Sequence, residues 1–218
     1  MSSPWDTFEG IYVLNLDRRL DKWQAMQKHL AGQSWFPRVE RVQGVDMPHP
    51  PHPRWLGSFW GHLRCLEKIV ENNNARGMIF EDDIGVDEHA DEILAKTLKQ
   101  VPEWDALFLG FCHSPRWADK IVKHTANAWR IYFCAHTHAY ALTKDAAKKV
   151  LDEGREYLNG LPEGESPRAF DKWLADHFAT ALKAYGCNPQ IVCQEHRGFM
   201  SDNAPIRTSH HRKQVNLP

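Results

Sequence analysis

Short apolar, β-branched runs alternate along this chain with segments whose apolar residues recur at helical spacing, and that alternation restricts the fold more than any other feature. Gly10-Ile-Tyr-Val-Leu-Asn-Leu16 has the length and composition of a strand, and Leu20, Trp23, Met26 and Leu30 then mark a helix. A second short strand spans 38–43. After Gly44-Val-Asp, the prolines of Pro48-His-Pro-Pro-His-Pro53 forbid a helix or a ladder and require a long loop. Phe59, Leu63, Leu66 and Val70 share one face of a helix over 57–73, which Asn72-Asn-Asn74 and Gly77 end. Met78-Ile-Phe80 is a buried strand carrying Glu81, Asp82 and Asp83 at its tip, followed by a helix over 87–100. A strand at 104–110, one or two more within 130–143 and a helix over 144–158 continue the alternation. A Gly/Pro/Glu loop covers 160–167. Phe170, Trp173, Leu174, Phe178 and Leu182 then predict a last strong amphipathic helix before a short strand at 190–194. This order predicts an α/β fold: a largely parallel sheet with helices on both faces, binding its ligands beyond the carboxyl ends of the strands.

With 218 residues, 42% of them hydrophobic, the chain buries one substantial core. We expect a single domain over 1–199 and a polar, basic tail or lid over 200–218. The net charge of −1 supplies no global field, so nucleic acid is permitted as a partner only by the basic stretch 207–213 and is not favoured. Five cysteines, odd in number and without a C-x-x-C pair, argue against a disulfide framework or zinc ribbon and for a reducing compartment. The opening residues lack a signal-peptide pattern and no run approaches the ~18 apolar residues of a membrane span, so a cytoplasmic protein is expected. Hydrolases built on a G-x-S-x-G elbow and P-loop nucleotide enzymes are disfavoured, because neither motif is present. Most of the nine tryptophans are expected in packing rather than under sugars.

Glu81-Asp82-Asp83 carries the sharpest chemical signal. Three adjacent carboxylates after an apolar strand repel one another unless a cation or hydrogen-bond donors compensate. Strand alternation puts Glu81 and Asp83 on one side, where two oxygen donors suit Mg²⁺ or Mn²⁺ and leave positions for diphosphate oxygens. The plainer alternative is a solvated turn with an aspartate capping the next helix. Asn15-Leu16-Asp17-Arg18-Arg19 could read a base or ribose through its amides and pair a phosphate through an arginine; the alternative is a cap at Asp17 and solvated arginines. His136-Thr-His138 places two imidazoles on one side of a strand, a zinc arrangement if His196 or Glu195 supplied a third ligand. Asp171, beside the apolar face of Phe170, Trp173, Leu174 and Phe178, is the candidate base, with helix capping as the alternative.

Taken in order, these segments resemble glycosyltransferase family 25, over almost the whole chain. Ile11-Tyr-Val-Leu-Asn-Leu-Asp-Arg-Arg19 is similar to the family's opening strand and N-L-x-R-R-like turn. Gly57-Ser-Phe-Trp-Gly-His-Leu63 resembles its G-x-x-G-C-x-x-S-H-L segment, with Gly61 where a serine is usual. Met78-Ile-Phe-Glu-Asp-Asp83 matches its hydrophobic-E-D-D tip. Thr137-His-Ala-Tyr140, Phe170-Asp-Lys-Trp-Leu174, Pro189 through Gln194, and Ser201-Asp202 resemble its later elements. The resemblance implies a glycosyltransferase A-type fold, a three-layer α/β/α sandwich with a mixed, mostly parallel sheet. It also implies a nucleotide-sugar donor (UDP-galactose or UDP-glucose first), a Mn²⁺ or Mg²⁺ ion and inversion at the anomeric carbon. It assigns Asn15, Leu16, Arg19, Gly44, His62, Glu81, Asp82, Tyr140 and Gln194 to the donor, Asp83, Glu81 and His196 to the metal, and Asp171 to catalysis. The acceptor is then a lipopolysaccharide sugar or other glycan, a protein hydroxyl or a hydroxylated nucleic-acid base. Two rivals follow from the residues themselves: a metal-dependent hydrolase on the acidic cluster with His136 and His138, and a non-catalytic glycan-binding protein.

Overall fold

The computed structural model describes residues 3–47, 52–53, 55–112, 115–178 and 180–194. Outside them lie His49 and most of the proline loop, Glu195, His196, Ser201, Asp202 and the 200–218 tail with His210 and His211. The elements follow the order β1 (Gly10–Asn15), α1 (Leu20–Leu30), β2 (Val39–Gln43), α2 (Trp55–Glu71), β3 (Arg76–Glu81), β4 (Ile84–Val86), α3 (Ala90–Gln100) and β5 (Ala106–Cys112). There follow β6 (Ile121–Lys123), β7 (Ala128–Ile131), β8 (Ala135–Thr143), α4 (Lys144–Asn159), α5 (Phe170–Ala175), β9 (Ala184–Cys187) and β10 (Val192–Gln194).

Eight strands form one sheet in the order β2-β1-β3-β8-β5-β9-β7-β6. β1 pairs in parallel with both β2 and β3, and β5 with β9. β8 runs antiparallel between β3 and β5, and β7 antiparallel between β9 and β6. Six strands therefore point one way and two the other: the sheet is mixed, and mostly parallel in strand direction. Strand alternation divides the interior into two cores, one on each face. Tyr12, Ile79, Phe108, Tyr140 and Leu142 pack under α2, α4 and α5 with Phe59, Leu63, Val150 and Trp173. Ile11, Val13, Met78, Phe80, Leu107 and Ala141 face α1, α3 and the N-terminal turn, meeting Met26, Leu30, Leu94, Trp5 and Trp35. This is the three-layer α/β/α arrangement that the resemblance implied.

Several elements depart from the periodicity. The buried stripe of α1 is Lys22, Met26 and Leu30, whereas Leu20 is half exposed. A lysine at i−4 from Met26 occupies the apolar face because its ammonium has carboxylates to meet, as described below. α5 stops at Ala175 and does not extend through Leu182. Phe178 and Leu182 still reach the core, but from turns closed on the His177 carbonyl, which accepts from the Ala181 and Leu182 amides. β9, a sheet-interior strand, lies outside the predicted elements; Ala-Tyr-Gly-Cys has no β-branched residue, and its place is fixed by pairing with β5 and β7. β4 and β6 are three-residue strands equally invisible to periodicity. Trp5, Trp35, Trp104 and Trp173 are buried, as expected of structural indoles.

Candidate active site

The carboxyl edge of the sheet collects the tips of β1, β2, β3 and β5, together with the start of the antiparallel β8. The register sets Leu14 opposite Glu81, so the next residues, Asn15 and Asp82, meet across the strand tips. Asn15 is 1% exposed. Its Nδ2 donates to Asp82 Oδ2 at 2.6 Å and to the Arg19 carbonyl at 3.0 Å, while its Oδ1 accepts from Arg41 Nε at 2.8 Å. The amide expected to read a base is thus committed to the turn itself. Asp17 caps nothing: its carboxylate accepts from Arg41 and Gln43 of β2. Arg18 pairs with Asp46 at the surface, and Arg19, its side chain 14% exposed, with Asp21. Gly44 donates its amide to the Asn15 carbonyl at 2.8 Å and packs on Leu16; a Cβ there would stand 2.9 Å from the Leu16 side chain.

Alternation ends at Glu81, because Asp82 and Asp83 form a turn between β3 and β4. The three carboxylates then separate by partner. Lys22 reaches in from α1 with its side chain 5% exposed, placing Nζ 3.2 Å from Asp82 Oδ1 and 3.6 Å from Asp83 Oδ2. Asn15 holds the other oxygen of Asp82. Glu81 Oε2 accepts from Gln194 Nε2 at 3.2 Å, a contact created when β10 pairs antiparallel with β4. Glu81 Oε1 lies 3.5 Å from His62 Nε2. His62 is fully buried, stacked on Phe170 (4.5 Å between centroids, 5° between planes), with Nδ1 3.2 Å from the Tyr140 hydroxyl and Nε2 3.3 Å from Thr137 Oγ1. His62 and Tyr140 therefore stand behind Glu81 and orient it.

Asp83 differs from its neighbours: its Oδ1 is buried and has no hydrogen-bond partner among the described residues. Burial first, and the charge of Glu81 second, push its carboxyl up to about 7. Burial also raises Asp82, against the opposing pull of Lys22 and Asn15. Burial would raise Glu81 too, but the His62 hydrogen bond and the nearby His138 and His136 hold it below the ordinary carboxylate range. An orphaned carboxylate oxygen beside a second carboxylate is the donor set of a hard divalent cation, so the residues present fit the implied metal. Among the described residues, no three His, Cys, Asp or Glu side chains are grouped as a complete metal site. Asp83 and Glu81 would hold such an ion in part, leaving positions to its other ligands. The residue expected as third protein ligand, His196, lies outside the described residues.

The other end of the edge is built differently. His138 is buried; the Val192 carbonyl lies beside its ring, yet among the described residues neither nitrogen reaches a partner at hydrogen-bonding geometry, and burial holds it down to about 4, neutral at pH 7. The His136 ring stands 6.3 Å from it, edge to face. Asp171, half-buried in the first turn of α5, accepts the His136 amide at Oδ2 (3.0 Å) and the Lys172 amide at Oδ1 (2.8 Å). The sequence reading missed Lys22, whose i, i+4, i+8 spacing with Met26 and Leu30 was the available signal, and Thr137, whose hydroxyl reaches His62.

The family model described as glycosyltransferase family 25 (LPS biosynthesis protein) matches residues 55–162. A glycosyltransferase 25 family member of Anopheles gambiae is 26% identical, covering 88% of this chain and 38% of the relative. Inactive glycosyltransferase 25 family member 3 of Homo sapiens is 24% identical, over 87% of this chain and 37% of the relative. Procollagen galactosyltransferase 1-A of Xenopus laevis is 24% identical, over 90% and 38%. The chain thus spans under two fifths of the length of these relatives. Among solved structures, mannose-1-phosphate geranyltransferase from Thermus thermophilus gives a TM-score of 0.45 at 10% identity, covering 83% of this chain and 73% of that one. Among the described residues, no helix is long and apolar enough to cross a membrane. The matched segment runs from the first turn of α2, through the helix that carries His62 and the Glu81-Asp82-Asp83 tip, to just past the end of α4, and over it the chain is similar to glycosyltransferase family 25.

Proposed function

We propose that the chain transfers a hexose from a nucleotide-diphosphate sugar to an acceptor hydroxyl, with inversion and with Mn²⁺ or Mg²⁺ held by Asp83 and Glu81. The buried Asp83 Oδ1 at the carboxyl edge of the sheet, without a hydrogen-bond partner among the described residues, carries this reading: a desolvated carboxylate beside a like charge either holds a proton or is stabilised in its charged form by a cation. When bound, the cation neutralises charge on the departing diphosphate. The chain's own residues set the stage for this. Asn15 and Lys22 saturate Asp82 and keep it turned to the protein, and Gln194 with His62 fixes Glu81. Among the described residues, Asp83 Oδ1 is the carboxylate oxygen of the three left without a partner. Galactose or glucose on UDP is the first donor to test; the relative named as a procollagen galactosyltransferase supports galactose. A glycan, a protein hydroxyl or a hydroxylated nucleic-acid base would serve as acceptor.

A thermal-shift screen of UDP-galactose, UDP-glucose and other nucleotide sugars tests the reading, each with and without Mn²⁺, followed by UDP release from the best donor. The expected outcome is a stabilisation that needs sugar nucleotide and metal together. Asp83→Asn should keep the fold and lose metal-dependent UDP release by about 10²–10³-fold, the scale of removing one electrostatic stabiliser. Undiminished release in that variant would overturn the metal assignment.

A further inference from the structure

β8 enters the sheet from the carboxyl edge, so its first residues flank the acidic cluster. Its pairing with β5 is irregular there. Gly110 lies opposite Ala139 and Cys112 opposite Ala135, so two steps along β5 correspond to four along β8. The surplus falls on His136-Thr137-His138, a bulge of the kind that re-aims side chains next to sites. Within it His136 has φ +68°, the left-handed region, which costs a non-glycine residue roughly 1–2 kcal/mol. Glycine would make the same turn without that cost. The imidazole is exposed, so burial does not repay the strain. The amide that the bulge withdraws from the ladder is taken up by Asp171 Oδ2 at 3.0 Å, and the other Asp171 oxygen accepts from Lys172. Both carboxylate oxygens thus serve backbone amides, while the exposed imidazole stands 6.3 Å from the His138 ring and near enough to Glu81 for the two to interact electrostatically.

We propose that His136 is the group that meets the acceptor hydroxyl and takes its proton, and that Asp171 is a positioning residue holding the bulge that presents it. This rests on the transferase reading above. The acceptor oxygen forms its bond to the anomeric carbon as the bond from that carbon to the diphosphate oxygen breaks. The electron pair of the broken bond leaves on the diphosphate, and the hydroxyl proton passes to the imidazole and then to solvent.

The test measures UDP release from UDP-galactose and UDP-glucose with Mn²⁺, water serving as the acceptor, in the parent chain and in His136→Gly, Asp171→Asn and Asp171→Ala. Glycine suits the left-handed position, so His136→Gly should melt no lower than the parent. It should release UDP about 10²–10⁴-fold more slowly, with partial recovery in added imidazole. Asp171→Asn keeps a carbonyl for the His136 amide and should retain most of the rate, whereas Asp171→Ala should lose about tenfold or more, on the scale of one hydrogen bond to a charged group. His136→Gly at the parental rate, no recovery with imidazole, or an Asp171→Asn variant as slow as Asp171→Ala would each overturn the proposal while leaving the transferase reading intact. A parent chain that releases no UDP from either donor overturns both.

Discussion

The two ends of the carboxyl edge solve opposite problems. At the β1–β3 end, regular parallel pairing stacks Asn15, Lys22 and three carboxylates into one small volume, and the architecture there is a matter of charge: among the described residues each carboxylate oxygen has a partner except Asp83 Oδ1. At the β8–β5 end the register breaks, the buried histidine is neutral, and the architecture is a matter of backbone: a bulge, a left-handed residue and a carboxylate that caps it. An electrostatic site can be assembled on ideal strands because charges act through space. A steric, directional one needs the irregularity, because only a departure from the pleat points a side chain out of the sheet's two faces.

Removing the internal cation should disturb the charged end most. Lys22→Met leaves Asp82 and Asp83 buried without their ammonium, and unfolding in urea should show a loss of about 3–5 kcal/mol, part of it recovered by millimolar Mn²⁺. A loss that Mn²⁺ leaves untouched would mean that the lysine merely packs. At the backbone end the counterpart is Gly110→Ala, whose Cβ would fall 2.2 Å from the Val192 carbonyl and 2.3 Å from His138 Nε2. Overpacking there should cost about 1–3 kcal/mol with no dependence on metal.

A smaller effect separates the two ends by pH. Asp83, raised from 3.8 to about 7, binds its proton more tightly in the folded chain. Its contribution is therefore fully present at low pH and declines as pH rises from about 4 to about 7. Asp83→Asn removes that decline: without metal the variant should melt ~2–4 °C above the parent at pH 8, the shift that about 1 kcal/mol makes at this size, and equally with it at pH 4. His138, lowered from 6.5 to about 4, acts in the opposite sense and costs stability as pH falls below 6.5. The smallest change is expected from Asp17→Ala. Its pairs with Arg41 and Gln43 are exposed, so calorimetry should find less than about 1 kcal/mol.

Much of the charged end was legible in the chain. Met78-Ile-Phe80 followed by three carboxylates announces a strand tip, and Asn15 lies at the matching tip of β1. What these residues do to each other is not legible, since an asparagine at a strand tip suggests a ligand contact and nothing local shows that it clamps Asp82. The bulged end was almost silent. His136 and His138 stand out as alternating histidines, but nothing local reveals that two extra residues are inserted against β5, or that Asp171, 35 positions on, accepts the displaced amide. α5 misled for a related reason: Phe178 and Leu182 keep helical spacing because they fill the same core, and the spacing survives when the backbone leaves the helix.

The sequence by itself determined the alternation of strands and helices, the two-faced cores and the acidic strand tip, because side-chain periodicity and local composition act over a few residues. Only the tertiary structure decided which carboxylate is left without a partner, that Lys22 is an interior cation, that Gln194 reaches Glu81 through a β4–β10 pair, and that β8 bulges at His136. Those depend on strand register and on contacts between residues distant in the chain, and their energies come from burial and charge, which exist only once the sheet has closed around them.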